Sequence, residues 1–437
     1  MVLLKNIKNI FAIPELKRRL LFTIGIVIIH QIGTFIPVIG VNVPLLADYM
    51  EQTSQAGNIL QYLDMFTGGA LQNCTLFALG ISPFITASIM MQLLSMSVPS
   101  LEQLTKEGEY GRKIINQYTR YLALGLSIMY SGGYATFLEA NNLVLNPGLA
   151  FKALFILSLS TGAMFVMWLS EQISMMGIGN GSSIIIFTGI LSQFPSHIVK
   201  TIHWVQIGNL STITSFFVLA FFIVLTACIV FLEKGERRIP VQYSRRIVGK
   251  RVYGGQSTYI PFKINPAGIM PVIFATSFLQ MPKLVSYFLS YKFDFFKSVS
   301  NALAPDGMLY SCLTFALIFF FTYVYTALIF NPPELADQMK KSGGFVPGIR
   351  PGKKTAEYFN YLLDRIGLIG AFYLGVLAIM PNILYAFINV PFKFGGTQLL
   401  IIVGVALEVS AQIESYLIEH KYEGFLSSGR LQRKGAM

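Results

Sequence analysis

Charge is what this chain lacks most. Asp, Glu, Lys and Arg make up 12% of its 437 residues, where a soluble domain carries about 25%. Ten windows contain none of the four: 20–47, 65–101, 121–138, 153–170, 172–199, 201–232, 264–282, 307–333, 366–392 and 394–407. A bilayer span needs about 20 mostly apolar residues. Nine windows meet or nearly meet that length, and the tenth is cut short by Glu408. This excludes a soluble enzyme, a disordered chain and a peripheral membrane protein. It also argues against a β-barrel, whose segments run to about ten alternating residues. The expected fold class is an all-α membrane protein with ten transmembrane helices.

Cysteine and histidine are scarce too. Cys74, Cys228 and Cys312 lie far apart in apolar stretches, which speaks against a disulfide framework and a metal cluster. The four histidines form no ligand pattern such as H-E-x-x-H. Membrane-depth ionisable residues, the usual mark of an ion-coupled transporter, come down to His30 and Glu408. Paired carboxylates, a Walker lysine loop and a Ser–His constellation do not stand out. The run G-I-G-N-G-S at 177–182 follows no strand and lacks the full dinucleotide spacing. No metal and no cofactor are expected.

The charges that are present are sorted. With the N-terminus inside and sides alternating through ten spans, the inside segments 1–19, 97–120, 171–181, 233–265, 331–365 and 419–437 hold 27 of the 33 Lys and Arg. The other six are Lys152, Lys200, Lys283, Lys292, Lys297 and Lys393, in or beside outside segments. That split follows the positive-inside rule and places both termini in the cytoplasm. Segments 233–265 and 331–365 are longer than a helix connection needs. Their basic residues include Arg237, Arg238, Lys250, Arg251, Lys340, Lys341 and Arg350. Two readings stay open: topogenic and lipid-directed charge, or a docking surface for RNA phosphate or an acidic protein face.

The stretch 57–96 is broken. A short apolar piece over 59–66 precedes Gly68 and Gly69, a polar break follows at Gln72–Asn73, and a full span comes after it. That order describes a half-helix re-entering from the outside, which requires a protein-lined or water-filled cavity. A surface amphipathic helix is the alternative.

Several strings carry a resemblance. MFTGGAL (65–71), FALGISPFITASIMMQLL (77–94), KEGEYGRKIINQYTRY (106–121), EKGERRIPVQYSRR (233–246), FKINPAGIMPVIFA (262–275), FNPPELADQMKKSGGFVPGIRPG (330–352) and VPFKFGGTQLLI (390–401) resemble the SecY/Sec61 alpha family of protein-conducting channels in order and over nearly the whole chain. The resemblance implies two inverted-topology halves around a central pore. These are 1–210, with a re-entrant plug helix at about 59–73, and 211–437, with the basic loops and a cytoplasmic tail.

By that resemblance the plug includes Ile59, Leu60, Leu63, Met65, Phe66, Gly68 and Gly69. The pore ring is Ile81, Ile85, Ser182, Ile186, Ile273 and Ile401. Ser182 departs from the family's usual aliphatic residue, and Gln31 stands where many relatives carry Arg. Thr86, Ser88, Gln92, Asn265, Thr276 and Gln280 are implied to line a lateral gate. The implied partners are SecE and SecG, the SecA motor ATPase, the translating ribosome, unfolded precursor polypeptides and membrane lipid. The implied location is the bacterial inner membrane, and the chain is expected to be no enzyme. The physical logic of the ring stands apart from the resemblance. Aliphatic side chains offer an ion no substitute for its hydration shell, so a narrow ring of them dewets while still yielding to a chain of any sequence. The competing class is a small-solute secondary transporter, which coupling charges at the midplane would favour.

Overall fold

The computed structural model describes residues 13–53, 64, 66–208, 211–243, 246–248, 251–253, 257–289, 294–304, 307–387 and 395–434. Helices dominate. They are α1 (Pro14–Gly33), α2 (Val43–Thr53), α3 (Ser82–Ser97), α4 (Pro99–Lys106), α5 (Glu109–Ala140), α6 (Leu149–Met176), α7 (Gly181–Ser192) and α8 (Phe194–Gln206) in the first part. The second part holds α9 (Thr212–Lys234), α10 (Met270–Leu289), α11 (Asp294–Ala302), α12 (Met308–Ile329), α13 (Pro332–Lys341), α14 (Lys353–Phe387) and α15 (Gly396–Lys434). Among the described residues, six helices are long and apolar enough to cross a membrane, or seven if α3 and α4 count as one broken span. Each of the ten charge-free windows overlaps a helix. Some of those helices, however, are too short or too polar to qualify alone.

Prolines and glycines set several boundaries. Pro14 and Pro99 sit in the first turns of α1 and α4, where a missing N–H leaves no hydrogen bond unmade. The chain turns by 100° between α3 and α4. The span expected to follow directly on Gln72–Asn73 starts only at Ser82. Residues 68–80 are turns, because Gly68, Gly69 and Gly80 take positive φ and even Cys74 does so at +47°. That conformation is incompatible with a right-handed helix.

Two apolar clusters fill the membrane part. One runs from α1, α3, α6 and α7 through α9, α10, α12, α14 and α15 and contains the central isoleucines. The other joins the first loop, α3, α5 and α6. The two parts of the chain meet along two seams. At one, α10 packs against α3 and α5; at the other, α15 packs against α7.

The structure differs from an all-α expectation outside the membrane. Strands β1 (Glu236–Tyr243), β2 (Arg246–Val248), β3 (Arg251–Tyr253), β4 (Ser257–Lys263) and β5 (Gly344–Phe345) form a three-stranded sheet of order β4-β1-β5 and a β2-β3 hairpin. β1 and β4 run antiparallel from Glu236 opposite Lys263 to Gln242 opposite Ser257. β5 adds on the other edge of β1 through Gln242 and Tyr243. Ile239 and Val241 alternate inward with outward Arg238, Pro240 and Gln242, the period-two pattern of a half-buried strand. They pack with Phe262, Met339, Val346, Phe359 and Leu362 as a third core. The two basic segments, 233–265 and 331–365, therefore make one module rather than two loops.

Candidate functional site: a central constriction and a basic platform

Four helices deliver aliphatic side chains to one point. Ile81 and Ile85 come from the start of α3, Ile186 from α7, Ile273 from α10 and Ile401 from α15. All are buried in the same cluster. Ile81, Ile85, Ile186 and Ile401 line a cavity of about 20 Å³ together with Phe66, a volume that admits about one water. Ile81 and Ile85 are one turn apart and share a helix face. Neither Ile273 nor Ser182 is on the wall of that cavity, and the aliphatic side chain that α10 gives it is Leu279. The Ser182 amide and hydroxyl both donate to Asn180 Oδ1, at 3.1 and 2.7 Å, so Asn180 caps α7 and holds the hydroxyl.

Of the residues assigned to the plug, Ile59, Leu60, Leu63 and Met65 lie outside the described residues. Phe66 lines the cavity. Gly68 takes φ +72° and presses on α7: a Cβ there would meet Gly189 Cα at 3.2 Å and Ser192 Oγ at 2.9 Å. The anchor of this turn is Asp64, a residue the sequence reading passed over. It is 3% exposed. Its Oδ1 accepts the amides of Leu71 and Gln72, both at 2.9 Å, and Thr67 Oγ1 at 3.3 Å. Gln193 Nε2 donates to the Asp64 carbonyl at 3.0 Å and tethers the turn to the end of α7. Tyr134 on α5 donates to the Leu71 carbonyl at 3.0 Å. The sequence signal was there: an acid four residues before a Gly-Gly turn in an otherwise charge-free stretch.

The residues assigned to the gate separate. Thr276 and Gln280 line the central cavity. Gln92 lines a second, about 10 Å³ crevice between α3, α10 and α12, with Ile89, Leu93, Phe274 and Phe321. Thr86 donates to Ser82 O, Gln92 to Ser88 Oγ, and Thr276 to Val272 O and Ile273 O, each inside its own helix. Asn265 does not join them. It donates to Glu233 Oε1 at 2.6 Å and to Gly268 O at 2.9 Å, bracing the α9–β1 corner against the entry to α10.

At the other seam, the glycine-rich run 177–182 is an amide cluster read by side chains. Ile178 N donates to Thr23 Oγ1 of α1 at 3.0 Å, Gly181 N to Ser174 Oγ of α6 at 2.9 Å, and Gly179 N to Gln412 Oε1 of α15 at 2.7 Å. Its donors are engaged within the protein, which removes the phosphate reading.

On the platform, Arg237, Arg238, Lys340, Lys341 and Arg350 are all exposed. Lys250 lies outside the described residues, and Arg251 falls on β3. Arg238 pairs with Glu236 at 2.7 Å and stacks 4.8 Å over the Tyr259 ring. The Glu236 carboxylate raises its guanidinium pKa further. Lys354 beside Glu357, at 2.8 Å, holds that carboxyl below its usual range. Arg350 stands in a turn between Gly348 (φ +82°) and Gly352 (φ +99°). Its carbonyl accepts Thr355 Oγ1 at 3.0 Å, which fixes the turn to the start of α14.

The chain is similar to known proteins. The SecY family model matches residues 75–410. Protein translocase subunit SecY of Escherichia coli (strain K12) is 45% identical over 97% of this chain and 97% of its own length. The subunit of the same name in Aquifex aeolicus (strain VF5) is 40% identical over 96% of this chain and 99% of its own. A solved protein-conducting channel has a TM-score of 0.64 at 18% identity, covering 91% of this chain and 92% of that one. Sec61 from a canine ribosome–channel complex has a TM-score of 0.59 at 17% identity, covering 91% and 92%. At those identities the two structures speak to the fold.

Proposed function

The chain belongs to the SecY family and is the central, channel-forming subunit of a protein translocase, and from that premise we propose how its parts divide the work. Ten spans form two halves, 1–210 and 211–437, with both termini cytoplasmic in a bacterial inner membrane. An unfolded, signal-bearing polypeptide crosses between the halves through the isoleucine constriction. Ile81, Ile85, Ile186, Ile273 and Ile401 form the seal, and Ser182, turned to Asn180, takes no part in it. The turn around Gly68 and Gly69, led by Phe66, is the base of the plug. Apolar signal helices leave sideways where α10 meets α3 and α5.

The basic module of β1, β4, β5 and α13 is the cytoplasmic docking face for a SecA motor or a translating ribosome. SecE and SecG are the small membrane partners. The observation that carries the channel assignment to this point in the fold is the convergence of four helices' aliphatic side chains on a space for about one water. A closed aliphatic neck blocks ions because entering it strips their water without replacement.

The test is a stalled precursor with one cysteine in its translocating segment. It should form disulfides with Ile81→Cys and Ile401→Cys, but not with Phe216→Cys on the exposed face of α9. Equal crosslinking at all three positions would remove the path from this constriction.

A further inference from the structure

Far from the constriction, α12 and α14 part at the edge of the apolar zone nearest the basic module. The cavity between them holds about 450 Å³, inside the range of about 300–1,000 Å³ of small-molecule sites. Tyr323 and Ala327 line it from α12, and Leu363, Asp364 and Gly367 from α14. Residues three or four apart share a helix face, so each helix gives the cavity one stripe. Its depth follows from the sequence. One charge-free window ends at 333 and the next begins at 366. The cavity therefore straddles the border, with Asn331 and Asn360 at its polar end.

Two charges at this border lack counter-ions. Tyr323 Oη donates to Asp364 Oδ1 at 3.1 Å. Among the described residues, no cation pairs with Asp364. On the neighbouring stripe of α14, exposed Arg365 lies 4.2 Å over the Tyr361 ring. Among the described residues, no carboxylate pairs with Arg365 either. Other charges near span ends, such as Arg120 and Glu171, do pair.

An occupant that answers both charges is a zwitterion. An anionic headgroup would meet Arg365 but be repelled by Asp364. A choline headgroup has no N–H to give a carboxylate. A protein lysine brings an ammonium and leaves Arg365 unanswered. A primary ammonium donates three hydrogen bonds, and a guanidinium fits a phosphate. Ala327, Leu363 and Gly367 offer the apolar floor that the start of an acyl chain needs. Tyr323 and Tyr361, 47% and 51% exposed, suit the aromatic belt at headgroup level. We propose that this cavity binds a phosphatidylethanolamine-type lipid, its ammonium on Asp364 and its phosphate on Arg365. The bound lipid bridges α12 and α14.

The test places the assembled translocase containing this chain in nanodiscs of phosphatidylethanolamine, phosphatidylcholine and phosphatidylglycerol in equal parts. Native mass spectrometry after extraction reads which lipids stay. The parent should keep one ethanolamine lipid. Asp364→Asn should weaken its retention by about tenfold, the effect of losing a hydrogen bond to a charged group. Gly367→Leu should abolish it with both charges in place. A Cβ there meets nothing within 4 Å, so leucine fills the floor without a clash. In the parent, carbodiimide should couple the Asp364 carboxylate to the lipid amine, a product read by peptide mass. That coupling decides the outcome even if neither variant assembles. Equal retention by the parent and Asp364→Asn overturns the proposal. So does choline or glycerol lipid held as well as ethanolamine lipid, or Asp364 coupled to a protein lysine instead of lipid.

Discussion

Replacing Asp64 by Ala should release the turn that carries the base of the plug. The carboxylate accepts two backbone amides, Leu71 N and Gln72 N, each at 2.9 Å. Alanine removes both acceptors, and the turn offers no water in their place while it stays packed on α7. An unmade hydrogen bond to a buried group costs about 1–3 kcal/mol. Two of them favour the loosened turn by about 2–6 kcal/mol, or a factor of roughly 30 to 20,000 in population at 1.4 kcal/mol per decade. Relief from burying the carboxylate itself offsets part of this, so the lower end of the range is expected. Tyr134 still holds the Leu71 carbonyl at 3.0 Å, which keeps the loosening local. Asp64→Asn keeps Oδ1 as an acceptor and should stay within about 1 kcal/mol of the parent. Hydrogen exchange of the Leu71 and Gln72 amides reads the effect directly. Fast exchange in Asp64→Ala and slow exchange in Asp64→Asn is the expected pair. Slow exchange in both would show that the turn is held by packing alone, and the reasoning would fail.

Gln412→Leu leaves the Gly179 amide without its 2.7 Å acceptor and should destabilise the α7–α15 seam by about 1–3 kcal/mol. A lowered melting temperature in detergent, recovered by Gln412→Glu, checks it. Gly162→Ala on α6 places a methyl group onto the Leu76 carbonyl and should cost about 1–3 kcal/mol through overpacking, read as lost thermal stability. Arg350→Glu should reduce export of a signal-bearing precursor by about tenfold or more, the effect of reversing a charge at a docking contact, while membrane assembly stays normal; unimpaired export would end the docking role of this turn. Neutralising Arg237 and Arg238 should lower the log–log salt slope of ribosome binding by about one to two units if they meet RNA phosphate.

The membrane part of the fold is legible because scarcity of charge is a one-dimensional signal. Every charge-free window falls on a helix, and the Gly68–Gly69 break is where the chain turns. The start of the following helix was not legible. Apolar residues such as Phe77, Ala78 and Leu79 suit a helix as well as a buried turn, and the positive φ at Gly80 and Cys74 decides the matter. Lys283 stands one residue past a charge-free window, so the count ends the span there, whereas α10 continues to Leu289. The sheet was missed because β1 and β4 are written in arginines, prolines and tyrosines. β1 finds its other neighbour, β5, about a hundred residues later, and nothing local to either segment announces that partner.

The two seams differ in how they are held, and on the proposed function that difference gives the opening of the channel a direction. Where α10 meets α3 and α5, Thr86, Gln92 and Thr276 make their hydrogen bonds inside their own helices. Parting this seam breaks none of those bonds. It trades protein packing for lipid tails that are as apolar as the side chains they replace. Where α15 meets α7, a backbone amide of one half is held by a side chain of the other, Gly179 N on Gln412 Oε1. Gly179 has φ +82°, and a Cβ there would meet Val409 Cγ2 at 3.2 Å, so the backbone approaches α15 closely. Separating this seam breaks that bond and undoes the close packing around it. An apolar helix arriving in the pore therefore finds the lower barrier on the α3–α10 side. On the proposed function, the Gly179–Gln412 contact stays closed.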